Sequence, residues 1–380
     1  MSLIKLPESR RQRTSPPSEQ DGWEGDVDPI GQYSRSLPVS PGDQLKDGRY
    51  KILCQLALSG LSTTWAARDQ MEHRYVAVRI FKEEESNTRE INVSRTISNL
   101  PKKTHPGQQH IVQFFDNFGI KARSGQYQCL ILELLGPTVF DLVAKAPGKR
   151  LSAAAAKRIA YQVLQAIDFL AQNGIAHGDI HTSSLALVIP GINSIPEQEF
   201  LEIFGELWVG KVESENLDIK LIGFGESFYQ VQPPATLHSS LSARPPEVIF
   251  GDRMDCQVDM WSMGCLLFEL FTGHELFPAY MALIETVVAQ MVDLAPDKLP
   301  GRWEEQWRDM EKKKGLRPLY EGKPPTLHEL LEKAYFDRGR HPQLTKQDLT
   351  KIGDLIGPML EYEPSARPSA EKVLNGLGFR

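Results

Sequence analysis

Asp179 is the candidate for proton transfer in this sequence. It lies in the polar stretch His177-Gly-Asp-Ile-His-Thr-Ser-Ser184, where a carboxylate could accept the proton of a hydroxyl group. Four further short segments are rich in glycine, proline or aromatic residues, and they are Ile222-Gly-Phe-Gly225, Arg244-Pro-Pro-Glu247, Asp259-Met-Trp-Ser-Met-Gly264 and Ala366-Arg-Pro368. Each segment alone is a weak signal, so its meaning depends on the elements that position it.

The first part of the ordered chain has the pattern of a small sheet. Residues 50–56, 62–67 and 75–81 are β-branched or apolar runs separated by turn-like gaps, and they predict three antiparallel strands. A short helix over residues 90–100 follows. Two more strands, one starting at residue 111 and one ending at residue 135, complete a predicted unit of five strands and one helix.

The pattern becomes helical after Gly136-Pro137. A helix predicted to start after Ser152 carries apolar residues at helical spacing and ends at Asn173-Gly174. Residues 258–271 are apolar on most faces, which is typical of a helix buried in a larger lobe. Residues 278–380 predict further helices and loops.

Composition limits the class of protein. The chain has 380 residues, of which 41% are hydrophobic, and this is enough for one bilobal unit or two modest domains. The formal charge of −6 argues against direct binding to nucleic acid and would suit a basic peptide partner, although it is also an ordinary solubility charge. Residues 1–43 contain few aliphatic side chains and are predicted to be a disordered extension.

The cysteines and the hydropathy pattern bear on location. Cys54, Cys129, Cys256 and Cys265 show no CxxC spacing, which favours a reducing compartment over a disulfide framework or a zinc site. The chain starts without an apolar leader, and its most apolar window, residues 261–271, is too short to span a bilayer. These features predict an intracellular protein of the cytoplasm or the nucleus, with no membrane association.

Taken together, the order of elements and motifs resembles a protein kinase over about residues 48–380. His177-Gly-Asp179 stands at the catalytic loop of that family, and Ile222-Gly-Phe-Gly225 stands at its Asp-Phe-Gly motif. The resemblance implies an α+β, bilobal protein-kinase fold. It places a small lobe of five strands and one helix at residues 44–135 and a larger, mainly helical lobe at residues 136–380.

Finer details resemble the SR-protein kinases, especially members of the fungal type. The segments that carry this resemblance are Ser62-Thr-Thr-Trp65 followed by Ala67-Arg-Asp69, His177-Gly-Asp-Ile180, and Leu299-Pro-Gly-Arg-Trp303. An insertion over residues 189–217, between the catalytic loop and the Asp-Phe-Gly position, matches an insertion of that subfamily.

The kinase resemblance also implies a set of site residues. Asp179 would be the catalytic base. The residues at positions that contact ATP in the family are Leu56, Thr64, Ala77, Arg79, Glu90, Glu133 and Leu135.

The phosphate-binding positions depart from the family pattern. Ala57 and Ser59 replace two loop glycines, and their side chains would crowd the phosphates. Arg79 replaces the strand lysine, and its planar guanidinium is no simple substitute for an ammonium. Arg79 could instead form a structural ion pair with Glu90. Ser94, one turn later, stands where an apolar residue is usual.

The catalytic and metal positions depart further. His181, expected to be largely neutral at pH 7, replaces the lysine that balances phosphate charge. Ser184 and Gly223 replace the asparagine and the aspartate that hold magnesium, and glycine has no side-chain oxygen. Ala186 matches the leucine under the adenine. Neither metal ligand survives at its family position, so the predicted metal site is none.

Two carboxylates are candidate substitutes for the lost metal ligands. Glu226 and Asp218 could supply an oxygen to a displaced ion, but the sequence favours solvent-facing or turn-capping roles for both. By contrast, the resemblance assigns supporting roles to an ion pair of Glu247 with Arg367 and to Asp259 beneath the catalytic loop.

The sequence therefore predicts a non-catalytic kinase-like scaffold with neither ATP nor magnesium as cofactor. Its partner would be a protein, with an Arg/Ser-rich segment as the candidate. Glu304, Glu305 and Asp309 are candidates for an acidic docking groove, and a solvated helix face explains them equally well. The alternative is an atypical serine/threonine kinase that keeps Asp179 as base and uses ATP and magnesium in an unusual way.

Overall fold

The computed structural model of the protein describes part of the chain. The described residues are 39–59, 62–82, 85–101, 105–122, 125–205, 217–279, 283–295, 297–314, 323–337 and 342–376. Within these ranges, no helix is long and apolar enough to cross a membrane. All four cysteines fall inside them and are free thiols.

The amino-terminal lobe is a curled antiparallel sheet. Within the described residues the sheet has six strands in the order β1-β2-β3-β4-β6-β5. The strands are β1 (Gln44–Leu45), β2 (Tyr50–Ser59), β3 (Ser62–Asp69), β4 (Arg74–Lys82), β5 (Phe114–Ala122) and β6 (Gly125–Glu133), and helix α1 (Glu85–Asn99) lies between β4 and β5 in the chain.

The predicted strands and helix are present, with three differences. The two-residue strand β1 adds an edge that no periodicity could reveal. Helix α1 begins five residues before the predicted position. The strand predicted from residue 111 begins at Phe114, because Ile111 forms a parallel bridge with Leu221 of the helical lobe instead.

The register of the sheet brings predicted site residues onto one face. Thr64 lies opposite Arg79, and Ala77 lies opposite Leu132. Side chains two residues apart on a strand point to the same face, so Ala77 and Arg79 share it with their cross-strand neighbours. This face forms one wall of the cleft described below.

The carboxy-terminal lobe is mainly helical. Its helices are α2 (Val139–Lys145), α3 (Ala153–Gln172), α4 (Glu197–Gly205), α5 (Pro246–Ile249), α6 (Val258–Thr272), α7 (Ile284–Leu294), α8 (Gly301–Lys314), α9 (Leu327–Phe336), α10 (Lys346–Ile356) and α11 (Ala370–Gly376), and its short strands are β7 (Ile175–Ala176), β8 (Leu185–Leu187), β9 (Ile219–Leu221) and β10 (Phe228–Tyr229). The predicted bilobal α+β fold is confirmed.

The core of this lobe is built around α3 and α6. Ser152 caps α3, as predicted, by accepting a hydrogen bond from the Ala155 N–H at 3.1 Å. Helix α6 is buried along almost its whole length, and Trp261 and Leu267 have no exposed surface. A helix that is apolar on most faces needs neighbours on all sides, and α3 and the 357–360 turn are among the elements packed against it.

The predicted insertion at residues 189–217 attaches to the sheet of the other lobe. Phe200 of α4 stacks on Tyr75 of β4 with ring centroids 4.1 Å apart. The Tyr75 N–H donates a hydrogen bond to Asn193 Oδ1 at 2.8 Å. Residues 206–216 of the insertion lie outside the described residues. The part that is described therefore joins the helical lobe to the sheet.

The predicted disordered extension over residues 1–43 is described only at its end. Val39 is buried, and the Gly42 N–H donates to the Ile52 carbonyl at 2.8 Å. Residues 39–43 therefore pack on β2, while residues 1–38 lie outside the described residues.

Candidate active-site cleft

A cleft of about 890 Å³ between the sheet and the helical lobe contains most of the predicted site residues. The predicted residues that line it are Leu56, Thr64, Ala77, Arg79, Glu133, Leu135, Asp179, Ser184 and Gly223. Ala57, His181 and Ala186 line it as well. Glu90 is buried behind Arg79. The fold thus assembles the site that the motifs predicted.

At the end of the cleft nearest the connection between the lobes, the lining residues would suit a flat aromatic ring such as a nucleotide base. Leu56, Ala77 and Ala186 give it apolar walls. No hydrogen-bond partner for the Leu135 N–H is found among the described residues. The Glu133 carboxylate is already engaged, because Oε2 accepts from Lys220 Nζ at 2.6 Å and from the Gln113 N–H at 3.2 Å.

The predicted ion pair of Arg79 with Glu90 is present. Arg79 Nη1 lies 2.6 Å from Glu90 Oε1, and only 3% of Glu90 is exposed. This contact links β4 to α1 and commits one edge of the guanidinium. It therefore preserves the strand-to-helix connection while leaving Arg79 less free to meet a phosphate.

The loop between β2 and β3 is described only in part. Ala57 is exposed, lies opposite Thr64 and lines the cleft. Residues 60–61 and the side chain of Ser59 lie outside what is described. Ala57 therefore lies where its methyl group could crowd a phosphate in the cleft, as predicted. The crowding expected from Ser59 stays a prediction.

Asp259 holds the backbone that precedes Asp179. Its two carboxylate oxygens accept from the His177 N–H at 2.7 Å and the Gly178 N–H at 2.8 Å. Burial raises the pKa of Asp259 to about 7, against the lowering effect of these two hydrogen bonds. Gly178 has a φ of +79°, and a Cβ there would lie 2.7 Å from the Glu226 carbonyl oxygen. Only glycine fits this turn without strain.

Asp179 is held from two sides. Its Oδ1 accepts from the Ser240 N–H at 2.7 Å, and its Oδ2 lies 3.5 Å from His181 Nε2. Burial acts to raise the pKa of Asp179, but the hydrogen bond and charge of His181 together with the Ser240 N–H outweigh it and lower the pKa. Asp179 is therefore a carboxylate that is already paired.

His181 has a partner that the sequence did not predict. Burial acts to lower the pKa of His181, yet the hydrogen bond with Asp179 and the charge of that carboxylate raise it above the usual value. His181 therefore holds a proton to higher pH than a free histidine does. The sequence does not indicate this pairing, because it depends on the 3.5 Å distance between the His181 and Asp179 side chains in the folded chain.

The two positions that would hold metal offer no free ligand. The Ser184 hydroxyl donates to the His181 carbonyl at 2.8 Å and accepts from the His181 N–H at 2.9 Å. Gly223 has a φ of +81° and open space within 4 Å of a would-be Cβ. In the described part of the chain, no three His, Cys, Asp or Glu side chains are arranged to hold a metal ion. The residues present do not fit the magnesium ions that the kinase resemblance implies.

The two substitute carboxylates have other partners. Glu226 Oε2 accepts from the His238 N–H at 2.8 Å and so holds the segment after Gly225. Asp218 pairs with Arg158 at 2.7 Å and does not line the cleft. Asp218 lies on the surface, as predicted. Glu226 was predicted to face solvent or to cap a turn, but it is half-buried, lines the cleft and binds a backbone N–H twelve residues away.

The segment that starts at Gly223 is packed beneath α1. Phe224 is buried and makes an edge contact with the His177 ring, with centroids 4.8 Å apart. Ser94 of α1 is also buried, and it lines a second cavity of about 790 Å³ together with Phe224. The serine that replaces an apolar residue here thus lies beside a cavity that is open to solvent.

The supporting ion pair predicted between Glu247 and Arg367 is present. Two hydrogen bonds of 2.7 and 2.8 Å join the side chains, and neither residue is more than 3% exposed. The parallel donor fork of arginine matches both carboxylate oxygens, which is the strongest form of such a pair.

Several residues of the site were not found from the sequence. Lys220 pairs with Glu133, Ser240 binds Asp179 through its backbone, and Arg244 donates to the Ser239 carbonyl at 3.2 Å. Backbone donors leave no trace in residue type, so Ser240 could not have been found. Lys220 is a charged residue inside the apolar strand β9, which is a signal that could have been noticed.

The candidate docking residues lie together on one helix. Glu304, Glu305 and Asp309 are all exposed on α8. Glu304 forms an ion pair with Arg308 at 3.0 Å one turn away. The structure places these carboxylates on a surface helix, and whether they bind a partner stays a prediction.

The family model for the protein kinase domain matches residues 59–377 of this chain. The match runs from the last residue of β2 to just beyond α11, so it covers the helical lobe and most of the sheet. The cleft-lining residues Gln55, Leu56 and Ala57 lie before its start. The stretch that contains Asp179 and the four segments at residues 222–225, 244–247, 259–264 and 366–368 all lie inside it.

Curated relatives of the chain are kinases by name. The chain is 28% identical over 264 residues to a serine/threonine protein kinase of Aspergillus fumigatus, covering 64% of this chain and 63% of that protein. It is 25% identical to the serine/threonine-protein kinase Doa of Drosophila melanogaster, covering 86% of this chain and 38% of the relative. It is 26% identical to the human dual specificity tyrosine-phosphorylation-regulated kinase 3, over 60% of this chain and 34% of the relative. The chain therefore spans less than two thirds of each of these proteins.

Proposed function

The chain belongs to the protein kinase domain family, and on this premise we propose that it is a pseudokinase of the SR-protein-kinase type. In this proposal the protein binds a protein partner and does not transfer phosphate. It uses neither ATP nor magnesium as a working cofactor. It acts inside the cell, in the cytoplasm or the nucleus, and has no direct contact with nucleic acid or membrane.

The observation that carries the proposal is the state of the two metal positions. Gly223 has no side-chain oxygen, and the Ser184 hydroxyl is bonded to the backbone of His181. Magnesium prefers oxygen ligands and tolerates little distortion of its octahedral geometry. Loss of one charge-stabilising group typically costs about 10²–10³ in rate. Because such losses are not additive, we expect a total reduction of roughly 10⁴–10⁶.

Support for a binding role comes from the parts of the fold that remain complete. The Glu247–Arg367 pair and the grip of Asp259 on the catalytic loop are both buried and fully hydrogen-bonded. The insertion ties the two lobes together through the stacking of Phe200 on Tyr75. A scaffold with these supports can present fixed surfaces without nucleotide to order it.

Support for the SR-protein-kinase type comes from sequence detail. The segments Ser62-Thr-Thr-Trp65 and Leu299-Pro-Gly-Arg-Trp303 and the insertion after the catalytic loop resemble that subfamily. The formal charge of −6 suits a basic partner. The partner class we propose is therefore a protein segment rich in arginine and serine.

The alternative is an atypical active serine/threonine kinase. Three findings favour it: the contacts with His181 and Ser240 lower the pKa of Asp179, Arg79 keeps its pair with Glu90, and the curated relatives carry kinase names. In that case Asp179 would accept the proton of a substrate hydroxyl.

Asp179→Asn separates the two functions. The scaffold proposal expects no transfer of labelled phosphate from ATP to an Arg/Ser-repeat peptide, and it expects the variant to bind that peptide as the wild type does. The substitution is nearly isosteric, so the fold should persist. Phosphate transfer by the wild type that disappears in Asp179→Asn would establish the active alternative and overturn the proposal.

A further inference from the structure

The second cavity lies between α1, the start of β5 and the short turn Pro106–His110. We call it the α1 cavity. Its volume is about 790 Å³, within the range of roughly 300–1,000 Å³ that is usual for small-molecule sites. Among the described residues, Val112 is the one lining residue that it shares with the active-site cleft. The α1 cavity is therefore a separate space, and the chemistry of the cleft does not account for it.

Apolar side chains form much of the wall of the α1 cavity. They include Ile97, Ile111, Val112, Phe114, Phe115 and Phe224. Ile97, Ile111 and Phe224 are buried, so the core of the protein fixes this part of the wall. Small-molecule sites typically combine such a wall with a few polar groups that orient the ligand. Two polar side chains of the wall, Ser94 and Arg74, have no adequate partner in the protein.

Ser94 is a buried polar residue whose hydroxyl makes no bond within the protein. It is 7% exposed and lines the α1 cavity. No hydrogen-bond partner for its hydroxyl is found among the described residues. Ser98, one turn further along α1, differs because its hydroxyl donates to the Arg95 carbonyl at 2.8 Å. A buried hydroxyl without a bond is costly, so a ligand or water in the cavity would gain a bond there.

Arg74, at the start of β4, brings a permanent charge to the wall. Among the described side chains that line the α1 cavity, it is the only arginine, lysine, aspartate or glutamate. Its guanidinium stacks on Phe115, 3.7 Å from the ring centroid, and its side chain is 27% exposed. Its Nε lies 3.6 Å from Asp69 Oδ2, which is too far for a hydrogen bond, and has no bonding partner in the described part of the chain.

Asp69 is too fully bonded to satisfy Arg74. Its two oxygens accept from Arg49 Nε and Nη2 at 3.0 Å each, and one of them also accepts from two backbone N–H groups. The nearby Lys46 is matched by Asp116. In this group of ion pairs, three cations therefore face two carboxylates, and the unmatched charge is that of Arg74. Charge complementarity favours a ligand with one negative charge.

We propose that the α1 cavity binds a small apolar carboxylic acid. The carboxylate pairs with the Nη edge of Arg74, because the guanidinium fork matches both oxygens of a carboxylate. The apolar body lies against Ile97, Ile111 and Phe114. A single negative charge also matches Arg74 better than a phosphate monoester does, since that group carries nearly two charges at pH 7. The site does not depend on the Arg/Ser-rich partner proposed above, whose charge is opposite.

The test measures binding of pyrenebutyrate to the full chain by fluorescence anisotropy. The matched probe is pyrenebutanamide, which has nearly the same shape and no charge. We expect the acid to bind saturably and the amide to bind about ten-fold more weakly or worse, because a hydrogen bond to a charged group contributes more than a neutral one.

Arg74→Gln removes the charge from the wall of the α1 cavity. Its matched control is Arg68→Gln, because Arg68 lies in the same hairpin, stacks on the Tyr75 ring at 4.3 Å and does not line the cavity. Arg74→Gln should bind the acid about ten-fold more weakly than wild type and leave binding of the amide unchanged. Arg68→Gln should stay within about two-fold of wild type for both probes.

Ser94→Leu is the second variant, because it fills the cavity and leaves Arg74 in place. It replaces a buried hydroxyl that has no bond, so it should melt no lower than wild type. It should bind neither probe. If Arg74→Gln fails to fold, Ser94→Leu decides the matter alone, and binding of the acid that it leaves unchanged would locate the probe elsewhere and overturn the site.

Four further results would overturn the proposal. Equal weakening in Arg74→Gln and Arg68→Gln would show general charge attraction, and equal binding of acid and amide would remove the carboxylate assignment. Failure of pyrenebutyrate to bind would remove the site. A Glu-Trp repeat peptide that binds through Arg74 when pyrenebutyrate does not would assign the cavity to a protein partner instead. None of these results bears on the scaffold proposal, which concerns the active-site cleft and a basic partner.

Discussion

Two neighbouring regions of the helical lobe differ in how completely their polar groups are bonded. One is the support beneath the catalytic loop, formed by Asp259 and the Glu247–Arg367 pair, and the other is the pair of metal positions, Ser184 and Gly223. In the support, Asp259, Glu247 and Arg367 are buried and each charged group has its hydrogen-bond partners. At the metal positions, Ser184 is committed to the backbone and Gly223 offers no oxygen. The comparison shows that the hydrogen bonds holding the catalytic loop come from the support, while the two metal positions offer no free side-chain oxygen.

Breaking the support should have the largest effect. Glu247→Ala leaves the guanidinium of Arg367 buried without its carboxylate, and removal of one partner of a buried pair costs about 3–5 kcal/mol. Urea unfolding should show this loss. Arg308→Ala, which removes the exposed pair with Glu304, should stay within about 0.5 kcal/mol. Similar losses in both variants would mean that the buried pair is not a special support.

Loosening the link between the lobes should have the next largest effect. Phe200 is 1% exposed and stacks on Tyr75, so Phe200→Ala should lower the free energy of unfolding by about 3 kcal/mol. Leu201→Ala is the control, since Leu201 is 41% exposed on the same helix and should matter little. A small effect at both positions would show that the insertion contributes no stability.

The next prediction restores the residues that kinases have at the metal and phosphate positions. The combined variant carries Gly223→Asp, Ser184→Asn, Arg79→Lys, Ala57→Gly and Ser59→Gly. No atom lies within 4 Å of a Cβ at Gly223, and aspartate tolerates the left-handed backbone there better than most residues. We expect single reversions to do little and the combined variant to bind Mg·ATP, with a gain of about 2.7 kcal/mol at 100 times the dissociation constant.

The matched control for this variant is the same set of changes with Asp179→Asn. It should bind Mg·ATP equally and transfer no phosphate to an Arg/Ser-repeat peptide. A combined variant that folds and melts normally but does not bind Mg·ATP would show that the two lobes are no longer positioned to form a nucleotide site. The loss of nucleotide binding would then not be explained by the substitutions at the metal and phosphate positions alone.

The smallest effect concerns the pairing of Asp179 with His181. The pKa of Asp179 is lowered, so its contribution to stability is present above its unfolded value and is lost in acid. The pKa of His181 is raised, so its contribution is present below about 6.5 and is lost as pH rises through the folded value. The melting difference between wild type and His181→Gln should therefore be largest between about pH 4 and 6.5. A constant difference from pH 5 to 9 would contradict the pairing.

The motifs made much of this site predictable. Each of Asp179, Arg79, Glu90 and Asp259 sits in a short segment whose order along the chain indicates its position in the fold. The structure places each of them at the cleft or beneath it. The order of the segments was sufficient to place these four residues, because each segment contributes a single side chain to the contacts of the site.

The rest depended on distances that the sequence does not encode. The stacking of Phe200 on Tyr75 joins residues 125 positions apart with no charge or motif to connect them. The Asp179 contact with Ser240 uses a backbone N–H, which every residue but proline possesses. The hydrogen bonds from the Tyr362 N–H to Asp297 join residues 65 positions apart, again through a backbone donor.

The central claim is that this cleft has lost metal-dependent nucleotide binding while its support remains. A thermal-shift titration of the wild-type chain with ATP tests it directly, with magnesium, with manganese and with neither, using the combined variant as positive control. We expect no metal-dependent shift in the wild type and a clear one in the control. A wild-type shift that requires magnesium would contradict the account and favour an active kinase.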